Sequence, residues 1–153
     1  MFQVRTPEAR WTVTLLDGHA MLPPSDRVSA VFLLAMNDER IVAVRNERGW
    51  DIPGGHVRPG EILAAALARE TLEEAAATFA WAEPFAIISV PDRSQVMLCY
   101  ATSGFDLATF VPTEDALERT LLSTEELMRR YCGPVEVLAA LVEGARARLG
   151  QRS

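Results

Sequence analysis

Between Trp50 and Ala77 the chain reads WDIPGGHVRPGEILAAALARETLEEAAA, and two changes of pattern inside this stretch limit the folds open to it. Pro53-Gly54-Gly55 neither continues a strand nor starts a helix, because proline lacks an amide hydrogen and paired glycines accept φ angles that other residues avoid. The backbone there can approach a ligand closely. From about Glu61 a dense run of Ala, Leu, Arg and Glu follows, with no glycine or proline before Pro84. That run predicts a helix of about four or five turns.

At about 3.6 residues per turn, Leu63, Ala66, Leu67, Glu70, Glu73, Glu74 and Ala77 share one face. A helix docked by Leu63, Ala66 and Leu67 holds its glutamates at the border of the core, where like charges raise one another's pKa unless a cation intervenes. Oxygen donors so placed suit a hard divalent ion. Acidic runs are often no more than solvated helix faces. Here Glu70 and Glu74 stand in line with the leucines, and the glycine turn lies just upstream.

Gly55, five residues, Glu61, seven residues, Arg69-Glu70 and then Glu73-Glu74 resemble the signature box of the Nudix hydrolases. The resemblance covers residues 55–77, and the lead-in Trp50-Asp51-Ile52-Pro53-Gly54 is similar to the family's as well. It implies an α/β fold, an α/β/α sandwich with a mixed sheet and the box helix packed on it. The activity it implies is metal-dependent hydrolysis of a diphosphate bond in a nucleoside diphosphate linked to another moiety. Mg²⁺, or Mn²⁺ in its place, would be held by Glu70, Glu73 and Glu74 with the Gly55 carbonyl, and Glu70 and Glu73 would be catalytic. Arg69 would orient a glutamate through an ion pair, and Glu61 would pair with it or cap the loop, both as structural support. Family members often take a further acid from a later loop, which makes Glu114, Asp115 and Glu118 candidates for the base. Homodimers are common in the family. A catalytically silent nucleotide-binding module on the same fold is the alternative, although such modules tend to lose box carboxylates.

Two positions depart from the pattern: Thr71 stands where a larger aliphatic is usual, and Ala76 where glycine is. The first weakens a packing contact. The second removes the usual left-handed helix end, so the helix is expected to run a turn longer. Pro91 lies too early, and Tyr100 too late, to mark a substrate subfamily.

A chain of 153 residues with 49% hydrophobic and 24% charged content reads as one globular domain with a real core. No apolar run is long enough to cross a bilayer and the N-terminal residues lack a signal-peptide core, so a cytoplasmic protein with no membrane partner is expected. The net charge of −6 argues against nucleic acid as a partner and leaves a small nucleotide-type substrate. All 15 basic residues are arginine, which excludes lysine chemistry and makes any phosphate clamp a guanidinium. Arg45, at a strand end before the glycine turn, and Arg58, inside the loop after it, are the substrate-binding candidates; His56 shares that loop. Cys99 and Cys132 are too far apart and too isolated to read as a zinc site.

Alternation predicts a strand at 11–16 and a continuous apolar run one at 28–36, with further strands expected at 41–45, 85–90, 95–102 and 117–122 and a hairpin turn at Asn37-Asp38-Glu39-Arg40. His19 reads as a loop bystander. Phe105 to Asp115 reads as irregular, with Pro112-Thr113-Glu114-Asp115 capping a short turn. Ser123 caps a helix reaching about Tyr131, and a last amphipathic helix covers 135–149 with Val137, Leu138, Leu141, Val142 and Ala145 inward.

Overall fold

The computed structural model describes residues 3–5, 11–18, 21–91 and 93–152. His19 and Asp92 lie outside the described residues. In chain order the elements are β1 (Gln3–Arg5), β2 (Thr12–Leu15), β3 (Val28–Asn37), β4 (Arg40–Asn46), β5 (Gly49–Asp51), β6 (Gly54–His56), α1 (Leu63–Ala75), β7 (Ala77–Phe79), β8 (Glu83–Ser89), β9 (Val96–Thr102), β10 (Phe105–Leu107), β11 (Glu118–Ser123), α2 (Thr124–Arg130) and α3 (Val135–Gly150). The main sheet runs β1-β2-β8-β9-β3-β4-β11, with β5 added to β4 and β6 to β3. It is mixed, because β3 and β9 pair in parallel and its other neighbours are antiparallel.

Helix α1 covers one face and α2 with α3 the other, giving the expected sandwich. The two-residue period of β3 divides its side chains between the layers. Val31, Leu33 and Ala35 pack with Ala66 and Leu67 of α1, whereas Leu34 and Met36 pack with Val137, Leu138 and Leu141 of α3. All five residues expected to point inward from α3 are buried. Ser123 caps α2 by accepting a 3.2 Å hydrogen bond from the Glu126 amide.

The β3–β4 hairpin makes the cleft. Asp38 and Glu39 both take positive φ, 51° and 61°, the conformation that two-residue hairpin turns require. The strands then pair only at Met36–Ile41 and Asn37–Arg40. Beyond that point they splay, β6 taking the free edge of β3 and β5 that of β4.

The expectation of a longer box helix is not met. Helix α1 ends at Ala75 because Ala76 itself turns left-handed, at φ 50° and ψ 41°, its amide donating to the carbonyls of Leu72 and Thr71. Pairing of β7 with β10, neither of which alternation revealed, holds the chain in that exit. Left-handed alanine costs about 1 kcal/mol that glycine avoids. Ala76→Gly is therefore expected to raise unfolding free energy by about 1 kcal/mol in urea titrations; a lower value would mean that the conformation carries no strain. Thr71 is fully buried rather than merely smaller, and its hydroxyl donates to Leu67 O at 2.9 Å, so its polar group is satisfied.

Candidate active site

The cleft opened by the β3–β4 splay is lined by Phe32, Val44 and Ile52, by the Gly54-Gly55 turn, and by Glu70, Glu73 and Glu74 of α1. Both glycines are demanded by close approach. A Cβ on Gly54 would overlap the Val31 carbonyl and the Phe32 ring, and one on Gly55 would overlap the Glu70 carboxylate. The turn also fastens to α1 directly, since the Gly54 amide donates to Glu74 Oε1 at 3.2 Å.

Arg69 organises the other side of the stripe. Its Nε and Nη2 donate to Glu61 at 2.8 and 2.9 Å, its Nη1 to Glu70 at 2.7 Å and Glu73 at 3.3 Å, and its Nη2 also to the His56 carbonyl at 3.0 Å. Its donors are thereby fully engaged. Glu61 thus pairs with Arg69 and also accepts the Arg58 amide at 3.0 Å. Hydrogen bonds from Arg69, then from the Arg58 backbone, hold its carboxyl down at about 2. Glu73 stands apart from its neighbours, its side chain 53% exposed on the rim.

Glu74 has no such cation. Burial, reinforced by the charges of Glu70, Asp51 and Asp115, pushes its carboxyl up to about 7, against the pull of the Gly54 amide. The result is a cluster of carboxylate oxygens at Glu70, Glu73 and Glu74, with Arg69 already committed, which fits a hard divalent cation by donor type and charge. Among the described residues no three of these groups converge into a complete ligand set by themselves, so backbone oxygen, substrate and water would have to complete a shell.

Of the remaining sequence candidates, Arg58, Glu114 and Asp115 line the cleft, as does His56. Arg45 and Glu118 do not line it: they face each other across β4 and β11 and pair at 3.2 Å. The strand period explains this. Arg45 follows Ile41 and Ala43 on the α3 side, while Val42, Val44 and Asn46 alternate to the α1 side. Four polar cleft residues escaped sequence reasoning: Asn46, Glu47, Arg48 and Asp51. Asp51 is raised to about 6 by burial, although the Ile52 amide and the Cys132 thiol bond to it. Cys132 and the buried Cys99 are both free thiols, and both are raised chiefly by burial.

Arg119 was also invisible beforehand. From β11 its Nη1 donates to Ala75 O at 2.8 Å and Ala108 O at 2.7 Å, tying the end of α1 to the loop that carries Glu114 and Asp115. Cations suit a helix C-terminus. Arg119→Met is expected to lower kcat about tenfold with KM nearly unchanged, because the loop loses its anchor while the phosphate end is untouched; an unaltered kcat would show that the loop is held by other contacts.

A strand, glycine turn and acid-striped helix set into a splayed mixed sheet define the class of α/β fold to which the chain is assigned. The sequence model of the NUDIX domain matches residues 25–139, and the chain belongs to the Nudix hydrolase family. Solved structures of similar fold include a pyrophosphohydrolase of Bacillus subtilis, BsRppH in an E68A mutant form. It has a TM-score of 0.76 and 19% identity, covering 100% of this chain and 98% of that one. A Nudix hydrolase of Nitrosomonas europaea has a TM-score of 0.61 and 23% identity over 86% of this chain and 85% of its own. A MutT Nudix hydrolase of Burkholderia pseudomallei has 0.57 and 21% over 65% and 84%. At these identities the likeness speaks for the fold alone. No curated protein matches the chain significantly. No helix among the described residues is long and apolar enough to cross a membrane.

Proposed function

We propose that the chain, working as one Nudix domain, hydrolyses a diphosphate bond in a nucleoside diphosphate linked to another moiety, with Mg²⁺ or Mn²⁺ as cofactor. The observation that carries this reading is the uncompensated carboxyl of Glu74 beside Glu70, fastened to the glycine turn at 3.2 Å. Glu70, Glu73, Glu74 and the Gly55 backbone would hold the cation, which when bound would offset phosphate charge and acidify an attacking water. Arg69 holds Glu70 aimed at the turn through its 2.7 Å pair. Arg58 supplies a guanidinium for phosphate oxygens. Glu114 or Asp115 takes the water's proton; Asp115 is the nearer in charge, since it acts on Glu74. Glu118 is not carried forward as a base, nor Arg45 as a phosphate ligand, because each is occupied by the other.

The test is a hydrolysis screen over nucleoside triphosphates, nucleotide sugars, ADP-ribose and dinucleoside polyphosphates, with Mg²⁺, with Mn²⁺ and with EDTA. Metal-dependent turnover of one class supports the reading. Absence of turnover throughout, with nucleotide binding still visible by calorimetry, would instead identify a silent binding module.

A further inference from the structure

Asp51 is a half-buried acid of the cleft that hydrolysis leaves unused. It sits on β5 opposite Val44, where the opened sheet lets the cleft through. Its charge acts on Glu74 on the cleft side and on Cys99 and Tyr131 beneath the sheet. The carboxylate is fixed in direction: Oδ1 accepts from the Ile52 amide at 2.8 Å and Oδ2 from the Cys132 thiol at 3.5 Å. Each oxygen keeps a further lone pair. On the same cleft wall the partly exposed Phe32, backed by the buried Val44 and Ile52, supplies an apolar face against which a planar ring can lie.

We infer that Asp51 is the specificity-determining residue of this cleft and reads a guanine base through paired N–H···O contacts. Guanine is the common base whose edge carries two adjacent donors, N1–H and the N2 amino group, which a carboxylate accepts together. Adenine and cytosine offer a donor beside an acceptor, and uracil flanks its N3–H with carbonyl oxygens that repel the carboxylate. A bidentate pair of this kind discriminates by roughly 10- to 100-fold, and a site built around it rejects a base that leaves its buried group unpaired. The inference rests on the cleft's binding of a nucleotide, as proposed above.

Nucleoside monophosphates test it without hydrolysis, because they contain no anhydride. By calorimetry GMP is expected to bind the wild-type protein about 10- to 100-fold more tightly than AMP or UMP, with IMP, which lacks the N2 amino group, between them. Asp51→Asn is isosteric and should collapse the difference, its melting temperature confirming that it folds. The comparison of GMP with IMP on the unmodified protein serves if the variant does not fold. Equal or undetectable binding of all four nucleotides, or a GMP preference that survives Asp51→Asn, would overturn the inference. Failure of the hydrolysis screen with the base preference intact would strike only the hydrolase reading.

Discussion

Glu74→Gln is expected to reduce kcat by about 10³-fold or more under saturating Mg²⁺, equivalent to roughly 4 kcal/mol of lost transition-state stabilisation. Glutamine keeps the size of the side chain and an oxygen for the Gly54 amide, so the turn stays fastened to α1 and the fold is expected to persist. What disappears is the charge. Because the Glu74 carboxyl lies near 7, through burial and then the charges of Glu70, Asp51 and Asp115, the wild-type enzyme also has a distinctive pH response. Cations bind the ionised form, so apparent Mg²⁺ affinity should fall about tenfold per pH unit below 7. The acidic limb of the activity profile then moves to lower pH as Mg²⁺ is raised. Residual activity in the variant at the wild-type level, or an acidic limb indifferent to Mg²⁺, would remove Glu74 from the ligand set.

Asp51→Asn should stabilise the protein by roughly 2 to 3 kcal/mol at pH 7.5 and by almost nothing at pH 4. The folded carboxyl sits at about 6, above the ordinary aspartate value of 3.8, chiefly because burial disfavours its charge. Below 3.8 both folded and unfolded chains hold the proton, and burial carries no ionic cost. Between 3.8 and 6 the unfolded chain releases it first, so wild-type stability falls as pH rises, and above 6 the full cost remains. Subtracting urea-derived free energies of wild type from those of the variant at pH 4, 5 and 7.5 isolates this group from the other titrating acids. A difference independent of pH would mean that Asp51 ionises in the fold as it does in the open chain. If the same substitution also erased base preference, a stability cost at Asp51 would coincide with specificity, the usual compromise at a binding site.

Residues 50–77 were legible because each constraint in them is local. Proline and glycine punctuate the turn, helix propensity runs from Leu63 onward, and the spacing of Glu70 and Glu74 follows from 3.6 residues per turn. The apolar runs of β3, β4, β8 and β9 and the apolar stripe of α3 were equally plain, since a strand buried on both faces and a helix with a single buried face each leave a local pattern. Strands β5, β6, β7 and β10 were not, because each has three residues. Such short strands have too little pattern to show alternation, and their pairing depends on partners far along the chain.

That an acid-striped helix follows a glycine turn, and hence the family, can be read from residues 50–77 alone. Which other side chains share the cleft depends on how distant segments pack. Alternation says that Arg45 and Asn46 point to opposite faces, yet it is silent on which face carries the box helix, so Arg45 paired with Glu118 while Asn46, Arg48 and Asp51 entered the site. Likewise the left-handed Ala76 ends α1 although nothing local prefers that conformation. Its cost is offset by the β7–β10 pairing and the Arg119 contacts, interactions between segments that only the folded chain brings together.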